Sequence, residues 1–195
     1  MNAILTAILP VSNENKDLSF DVMVANAIHI GFAAFICQEM ERSALKRGIG
    51  IAKRSVGYIQ QKMLEGKAII AFSSSGVWAG FSFIEPWDNG EFVSNSGLIV
   101  ASEFRQSGLA RMIKKSIFRL SKEMFPGAKI FGLTSSQAVL KINSELGFQP
   151  VTYAQLPKDP AFWDSCRSCV NYEILIQKEK KICFCTAMKY TVCIY

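Results

Sequence analysis

The chain has 195 residues, 50% of them hydrophobic, and a formal charge of +6. A chain of this length and composition forms one well-packed domain, which leaves no need for a second. The positive charge favours anionic ligands, but it does not choose between a coenzyme with several phosphates and nucleic acid.

The first 19 residues (1–19) are predicted to form a loosely held N-terminal tail. Their apolar run is interrupted by Pro10 and lacks the basic start and the length of a secretory signal. The next apolar run, 22–37, contains Asn26 and His29 and is shorter than the roughly 20 residues that span a membrane. We therefore expect no membrane partner. Six cysteines without a secretory signal are typical of a reducing compartment, so a cytoplasmic location is expected.

Periodic patterns predict the order β, α, α, β, β, β for 20–100. Strands are expected at 20–25, 67–73, 78–86 and 91–100, and helices at 30–46 and 55–65. Asn89-Gly90 between the last two strands is a strong hairpin signal. His29 is the only histidine. Because it lies at a strand-to-helix junction, a capping or packing role is expected more often than catalysis.

The stretch 98–124 joins an apolar strand to a long basic helix through a short polar turn. The turn reads RQSGLA and fits the pattern R-x-x-G-x-A. Gly108 removes a Cβ that would stop a ligand from approaching the backbone, and Ala110 keeps the next turn small. The free amide groups at the start of the helix form a site for phosphate oxygens.

At these residues the sequence resembles the GNAT superfamily of acyl-CoA-dependent N-acyltransferases, whose coenzyme signature is R/Q-x-x-G-x-G/A. The elements that follow, a strand at 128–134, a helix to 146 and a strand at 148–152, also occur in the family's order. The resemblance implies an α+β fold of three layers, α/β/α. Its mixed, mostly antiparallel central sheet would splay between its two central parallel strands. A βα unit with a glycine-bearing turn and no ligand is the alternative interpretation.

The resemblance implies that acetyl-CoA binds as the acyl donor, with its pantetheine arm in the splay. The acyltransferase core would comprise 20–157, and 158–195 would be a C-terminal extension that completes the sheet. The residues implied to bind the coenzyme are Ile99, Val100, Arg105, Gln106, Ser107, Gly108, Leu109, Ala110 and Arg111.

The link between the first two helices contains two glycines and is flanked by four cations, which are Lys46, Arg47, Lys53 and Arg54. In the GNAT arrangement this link borders the acceptor site. The resemblance therefore suggests that Lys53 and Arg54 bind a carboxylate of the acceptor. A solvated basic loop is an equally open interpretation.

Proton transfer needs a base for the acceptor amine and a donor for the leaving thiolate. Glu85 and Glu91, at the ends of neighbouring strands, are the best-placed carboxylates, although a strand-end Glu is usually just solvated. Many GNAT enzymes carry a proton-donating Tyr at the position that is Asn143 here. A thiol with a pKa of roughly 8.5 leaves with little help, and Tyr153 and Tyr172 are candidates for restoring the proton.

A second resemblance covers about the last third of the chain. The run IFGLTSSQAVLKINSELGFQPVTYAQLP, followed by NYEIL, is similar to the acetyltransferase domain of N-acetylglutamate synthases. It implies a glutamate-like amino acid or a similar small amine as acceptor, and hence a place in amino-acid metabolism. Glu173, Ile174 and Leu175 stand where those enzymes carry basic residues, so glutamate itself is left open.

Four cysteines in the C-terminal extension have spacings that suit a tetrahedral zinc site. Cys166 and Cys169 form a C-x-x-C pair, and Cys183 and Cys185 form a C-x-C pair. A structural zinc ion would attach the extension to the core without a catalytic role. The alternative is that Cys183 and Cys185 are small buried hydrophobic residues in the apolar strand ICFCTAM.

The function expected from these observations is direct acetyl transfer from acetyl-CoA to the amine of a small-molecule acceptor. The thioester oxygen would bond a strand amide, that of Val100, and no covalent enzyme intermediate is required. A non-catalytic acyl-CoA sensor and a protein or peptide N-acetyltransferase stay open as alternatives. The basic residues alternate with apolar ones along helices, so no nucleic-acid partner is expected. The sequence is compatible with a monomer or a homodimer.

Overall fold

The computed structural model describes residues 19–48 and 52–191. Residues 1–18 of the predicted N-terminal tail therefore lie outside the described residues. The strands are β1 (Phe20–Val24), β2 (Ala68–Ser73), β3 (Trp78–Trp87), β4 (Phe92–Val100), β5 (Lys129–Thr134), β6 (Phe148–Pro150) and β7 (Thr186–Tyr190). The helices are α1 (Ala33–Arg47), α2 (Val56–Leu64), α3 (Leu109–Met124), α4 (Gln137–Glu145), α5 (Pro160–Asp164) and α6 (Tyr172–Gln177).

The seven strands form one sheet in the order β1-β2-β3-β4-β5-β7-β6. Only β4 and β5 run parallel to each other, and every other neighbouring pair is antiparallel. The prediction of a mixed, mostly antiparallel sheet with two central parallel strands is confirmed. Within the described ranges, no helix has both the length and the apolar character to cross a bilayer.

Helices cover both faces of the sheet because successive strand residues point to opposite sides. Ile70 of β2 packs with α1 and α2 on one face, whereas its neighbours Ile69 and Ala71 pack with α3 on the other. Farther along the sheet, α4 lies on the same side as α3, and α5 and α6 cover Phe131 of β5 on the opposite side. The three-layer prediction is therefore confirmed.

The first helix begins later than predicted, because a 3-10 turn (Ala27–Phe32) precedes it. Asn26 Oδ1 accepts a hydrogen bond from Ile28 N, and Asn26 N donates to His29 Nδ1, both at 3.1 Å. His29 is buried and stacks on Phe72 with ring centroids 5.9 Å apart. The capping and packing role predicted for His29 is confirmed.

The splay between β4 and β5 starts close to the beginning of both strands. Their pairing ends at Ser94 with Phe131, and the rest of β4 diverges. On its other side β4 pairs with β3, where a bulge shifts the register between Phe81 and Phe83. Gly97 lies in this bulge at φ +65°, and a Cβ there would stand 2.4 Å from Phe83 Cε1. The bulge therefore requires glycine at this position.

The strand predicted around Cys183 and Cys185 is wrong in its extent. β7 begins at Thr186, so both cysteines precede it. The ladder between β5 and β7 ends at Thr134 with Thr186, where β5 itself ends, and earlier residues have no strand to pair with. β7 lies between β5 and β6, so β6 rather than β7 forms this edge of the sheet.

Candidate active site

A cavity of about 220 Å³ occupies the splay between β4 and β5. Its walls include Ser94–Leu98 of β4, Gly132–Thr134 of β5, and side chains from α1, α2, α3 and α4. Arg54 and Tyr58 line its outer part, and Lys114 and Asn143 line it from α3 and α4. The site is accordingly built from both halves of the sheet and from helices on both faces.

The turn before α3 has the backbone that the sequence pattern predicts. Gly108 is the N-cap of α3 at φ +86°, and a Cβ there would meet nothing within 4 Å. Gln106 also has a positive φ, and both residues are exposed. An open helix N-terminus of this kind suits a diphosphate.

Arg105 is used to fix this turn. Its Nε donates to Val100 O at 3.3 Å, and its Nη2 donates to Ser43 Oγ of α1 at the same distance. Ser107 Oγ donates to Phe104 O at 2.7 Å, while Leu109 is buried in the core. These three side chains shape the turn and leave its backbone as the surface that a coenzyme would meet.

Arg111, the last residue implied to bind the coenzyme, is paired with α4. Its Nε and Nη2 donate to the two carboxylate oxygens of Glu145 at 2.8 and 2.9 Å. Ala110, which precedes it, is half-buried and packs against the apolar cluster between α3 and the sheet. The bidentate pair ties α3 to α4 beside the helix N-terminus.

Val100 and Ile99 differ in where their peptide groups point. Ile99 is opposite Phe81 and Val100 is opposite Gly80, while Ala101 N donates to Ala79 O at 2.9 Å. Since the peptide groups of an antiparallel strand alternate in direction, those of Val100 face away from β3 and toward the splay. Val100 rather than Ile99 therefore turns its backbone amide away from β3, although neither residue is among those that line the cavity.

Glu85 belongs to a buried charged group behind the cavity wall. Tyr58 Oη donates a short hydrogen bond to Glu85 Oε2, and Lys62 Nζ lies 2.6 Å from the same oxygen. Burial, followed by the contact with Glu85, raises the pKa of Tyr58. Tyr58 lines the cavity, so its hydroxyl connects the cavity to the Glu85 carboxylate. Neither Tyr58 nor Lys62 was predicted from the sequence to belong to the site.

Glu91 lies at the turn of the hairpin, immediately before β4. Its carboxylate pairs with Lys129 Nζ at 2.7 Å, and both side chains are more than half exposed. It is not among the residues that line the cavity. The structure therefore does not bring Glu85 and Glu91 together.

The cations of the link occupy the rim. Arg54 Nη1 donates to Ser165 O at 3.1 Å, and its guanidinium carbon lies 5.7 Å from the centre of the Tyr58 ring. Lys53 Nζ is 3.7 Å from Glu41 Oε2. Both residues line a second groove of about 270 Å³, which shares Arg54, Met40 and Ala52 with the cavity. Gly50, predicted to be part of this link, lies outside the described residues.

Asn143 lies at the inner wall of the cavity and is only 1% exposed. Its Nδ2 contacts Met188 Sδ at 3.6 Å, and its Oδ1 has no hydrogen-bond partner among the described residues. The alternative proton donors lie elsewhere. Tyr153 Oη donates to Cys185 O at 2.7 Å, and neither Tyr153 nor Tyr172 lines the cavity.

Lys114 of α3 is a second cavity residue that sequence reasoning missed. It is 2% exposed, and burial lowers its pKa to about 7. Lys114 is four residues after Ala110 and seven before Ser121, on a face of α3 whose other residues are small or buried. A lysine on a basic helix gives no sequence sign of which face it occupies.

The four cysteines do not form a metal site. Across 19–48 and 52–191, no group of three or more His, Cys, Asp or Glu side chains is placed to hold a metal ion. The cysteines are free thiols, and Cys166, Cys169 and Cys185 line the cavity. The prediction of a structural zinc ion is therefore not supported. The C-x-C pair, expected on one face of a strand, precedes β7.

No protein-family model and no curated protein matches the sequence. Solved structures resemble it in fold. The N-acetylglutamate synthase from Neisseria gonorrhoeae, complexed with coenzyme A and N-acetyl-glutamate, has a TM-score of 0.62 and 14% identity over 90% of this chain. The present chain spans only 35% of the length of that synthase.

Two other similar structures are matched over most of their own length. A Mycobacterium tuberculosis protein in complex with CoA and NLQ has a TM-score of 0.62 and 14% identity, over 88% of this chain and 99% of that one. An acetyltransferase of the GNAT family from Staphylococcus aureus has a TM-score of 0.58 and 14% identity, over 71% of this chain and 90% of that one. Together with the splayed β4 and β5, these likenesses show that the chain has the GNAT fold.

Proposed function

We propose that the protein is an acetyl-CoA-dependent N-acetyltransferase that transfers the acetyl group directly to the amine of a small acceptor, an amino acid. The observation that carries this proposal is the cavity in the splay, where the pairing of β4 and β5 stops at Ser94 and Phe131. A pantetheine arm is narrow and carries amides, and the peptide of Val100 faces this gap. The open turn at Gly108 is placed at the start of α3, where it can take the diphosphate.

The proposed acetyl transfer needs a base for the acceptor amine, because an amino acid's amine is mostly protonated at neutral pH. Glu85 is our choice, acting through the Tyr58 hydroxyl that lines the cavity. The ammonium proton passes to the Tyr58 oxygen while the Tyr58 proton passes to Glu85, and the neutral amine then attacks the thioester carbon. The second proton, which the nitrogen loses as the amide forms, goes to water. Lys62 holds the carboxylate in place at 2.6 Å.

The acceptor class follows from the charges of the rim. Arg54 has five donors and uses part of them on the backbone carbonyls of Ser165 and Lys53. The remaining donors can bind a carboxylate of the acceptor beside the cavity. The synthase from Neisseria gonorrhoeae was solved with N-acetyl-glutamate, which supports an acidic amine as the first acceptor to test.

The test of this function is the release of free thiol from acetyl-CoA in the presence of amino acids, their amides, polyamines and peptides. We expect turnover with one or more amino acids and weaker turnover with the corresponding amides. Tight coenzyme binding without turnover on any amine would favour a sensor instead. Turnover with peptides alone would favour a protein or peptide N-acetyltransferase.

A further inference from the structure

Lys114 is a lysine that the fold buries without an acidic partner. Its side chain reaches from α3 into the splay, and the residue is 2% exposed. Nζ donates to Asn95 Oδ1 of β4 at 3.2 Å. Within the part of the chain that the structure describes, no carboxylate lies at ion-pair distance from Nζ. A buried ammonium with one acceptor is costly, so the site is suited to a function rather than to stability.

The amide of Asn95 is held in one orientation by α3. Asn95 Nδ2 donates to Ser121 Oγ at 2.7 Å, and Ser121 Oγ donates to Ile117 O at 2.8 Å. Because this chain of donors uses the amide nitrogen, Oδ1 of Asn95 is the atom that points at Lys114. The amine is thereby positioned from two elements, α3 and β4.

The inner end of the cavity leaves room beside this amine. Gly132 of β5 has no side chain, and a Cβ on it would stand 4.0 Å from Lys114 Nζ and 3.5 Å from Asn95 O. Asn143 Oδ1, on another wall of the same cavity, is buried and has no partner within the described residues. A partly satisfied amine and an unsatisfied amide oxygen therefore face one space between the diverging strands.

We propose that Lys114 contacts the coenzyme sulfur and returns a proton to it when the thioester breaks. This rests on the proposed acetyl transfer. The amine nitrogen forms a bond to the acyl carbon, the carbon–sulfur bond breaks, and its electron pair goes to sulfur. The ammonium of Lys114 donates a proton to the thiolate to give the thiol, and Lys114 recovers a proton from solvent. The acceptor ammonium loses one proton to Glu85 through Tyr58 before the attack and a second to water as the amide forms. Glu85 returns its proton to solvent, so with one proton delivered to sulfur a single proton is released in each turnover.

The surroundings of Lys114 suit a group that changes its protonation state in each cycle. Burial lowers its pKa to about 7, and no charged neighbour contributes to the shift. The groups beside Nζ are Asn95 from β4, Gly132 from β5 and the ring of Phe148 from β6, whose centre is 5.2 Å away, and Asn143 from α4 lines the same cavity. None of them is ionisable. An acid with a pKa near the working pH transfers protons most effectively.

The first test needs no acceptor. The thiol of bound coenzyme A is titrated by the ultraviolet absorbance of its thiolate, in the unchanged protein and in Lys114→Met, which has a side chain of similar length. In the complex the two groups titrate as a pair, because a thiolate keeps Lys114 protonated above its pKa in the free protein and the ammonium in turn stabilises the thiolate. We therefore expect the thiolate to form at a pH lower by about one unit or more in the unchanged protein than in Lys114→Met. Lys115→Met, which alters an exposed lysine of the same helix, should titrate like the unchanged protein.

The second test follows turnover. We expect Lys114→Met to lower kcat by about 10²-fold or more, with acetyl-CoA affinity unchanged by calorimetry. Asn95→Asp places a carboxylate where Oδ1 now lies, which raises the pKa of Lys114. This variant should move the corresponding limb of the pH profile of kcat to higher pH, which a merely structural role of Lys114 would not do.

The outcomes separate the two proposals. Identical thiol titrations in the unchanged protein and in Lys114→Met would overturn the role of Lys114, and would leave acetyl transfer standing if the unchanged protein turns over. A clear difference in the titration without turnover on any amine would instead overturn the proposed transferase function and keep Lys114 as the partner of the sulfur. Failure of the unchanged protein to bind coenzyme A would overturn both.

Discussion

At the scale of single residues, the buried amine of Lys114 makes stability depend on pH in a predictable direction. Its pKa is about 7 in the folded protein and 10.5 when exposed. Between these values the unfolded chain binds more protons than the native one, so stability rises with pH across this window. Lys114→Met removes this pH-dependent contribution to the free energy of unfolding. The amount by which Lys114→Met is more stable than the unchanged protein should be largest at about pH 7 and below, and should shrink by roughly 1.4 kcal/mol for each pH unit above pH 7.

Urea unfolding of both proteins from about pH 6 to about pH 9.5 measures this difference. Lys115→Met is the matched control and should show a small, nearly constant difference, because Lys115 is exposed. A stability difference for Lys114→Met that stays constant over the same range would contradict a lowered pKa at this position.

Glu85 and Glu91 give a matched pair for the base of the reaction. Glu85→Gln keeps a group that can accept from Tyr58 but cannot take a proton, so kcat should fall by about 10²-fold. Glu91→Gln changes a side chain that is 57% exposed and paired with Lys129, and kcat should be unchanged. Glu85→Gln leaves the buried Lys62 without its partner, which could itself lower kcat. The double variant Glu85→Gln/Lys62→Met controls for this effect. Normal turnover in both Glu85 variants would exclude Glu85 as the base.

At the scale of elements, the bulge in β4 depends on Gly97. A Cβ at this residue would lie 2.4 Å from Phe83 Cε1 and 3.1 Å from Met40 Cε, and the φ of +65° is strained for any L side chain. We expect Gly97→Ala to cost about 1–3 kcal/mol in the free energy of unfolding. Gly57→Ala in α2 is the control, since a Cβ there meets nothing within 4 Å. It should be neutral or stabilise by up to about 1 kcal/mol. Chemical denaturation compares the two, and equal effects would show that the bulge tolerates a side chain.

The elements were largely predictable because their patterns are local. Alternation and helical spacing placed β3, β4 and α3 to within about two residues, and Gly108 marked the turn that opens α3. Side chains from distant parts of the chain were not predictable in the same way. Tyr58 and Glu85 are 27 residues apart, and Lys114 and Asn95 are 19 apart. Their meeting depends on which helix face packs on which strand, and a single lysine among several in α3 carries no such information.

For the whole molecule, the coenzyme is expected to act as a stabilising ligand, because its proposed site spans both halves of the sheet. At a concentration of acetyl-CoA about 100 times the Kd, the free energy of unfolding should rise by roughly 2.7 kcal/mol. Gly108→Glu places a bulky negative group at an open turn where the diphosphate is proposed to bind. It should weaken affinity far more than tenfold and abolish the stabilisation, with the fold retained. Calorimetry and thermal unfolding measure both effects, and full stabilisation of Gly108→Glu would place the coenzyme elsewhere.

The position of β7 has a consequence for how the protein is made. β7 is inserted between β5 and β6, although it is the last strand in sequence among the residues that the structure describes, and it pairs with residues 38 to 58 positions earlier. The antiparallel run from β1 to β4 can form while the polypeptide is still growing on the ribosome. The half that contains β5 and β6 cannot close until Tyr190 has emerged. During synthesis the edge of β5 is therefore exposed to other nascent chains, and a premature stop before Thr186 would make that exposure permanent.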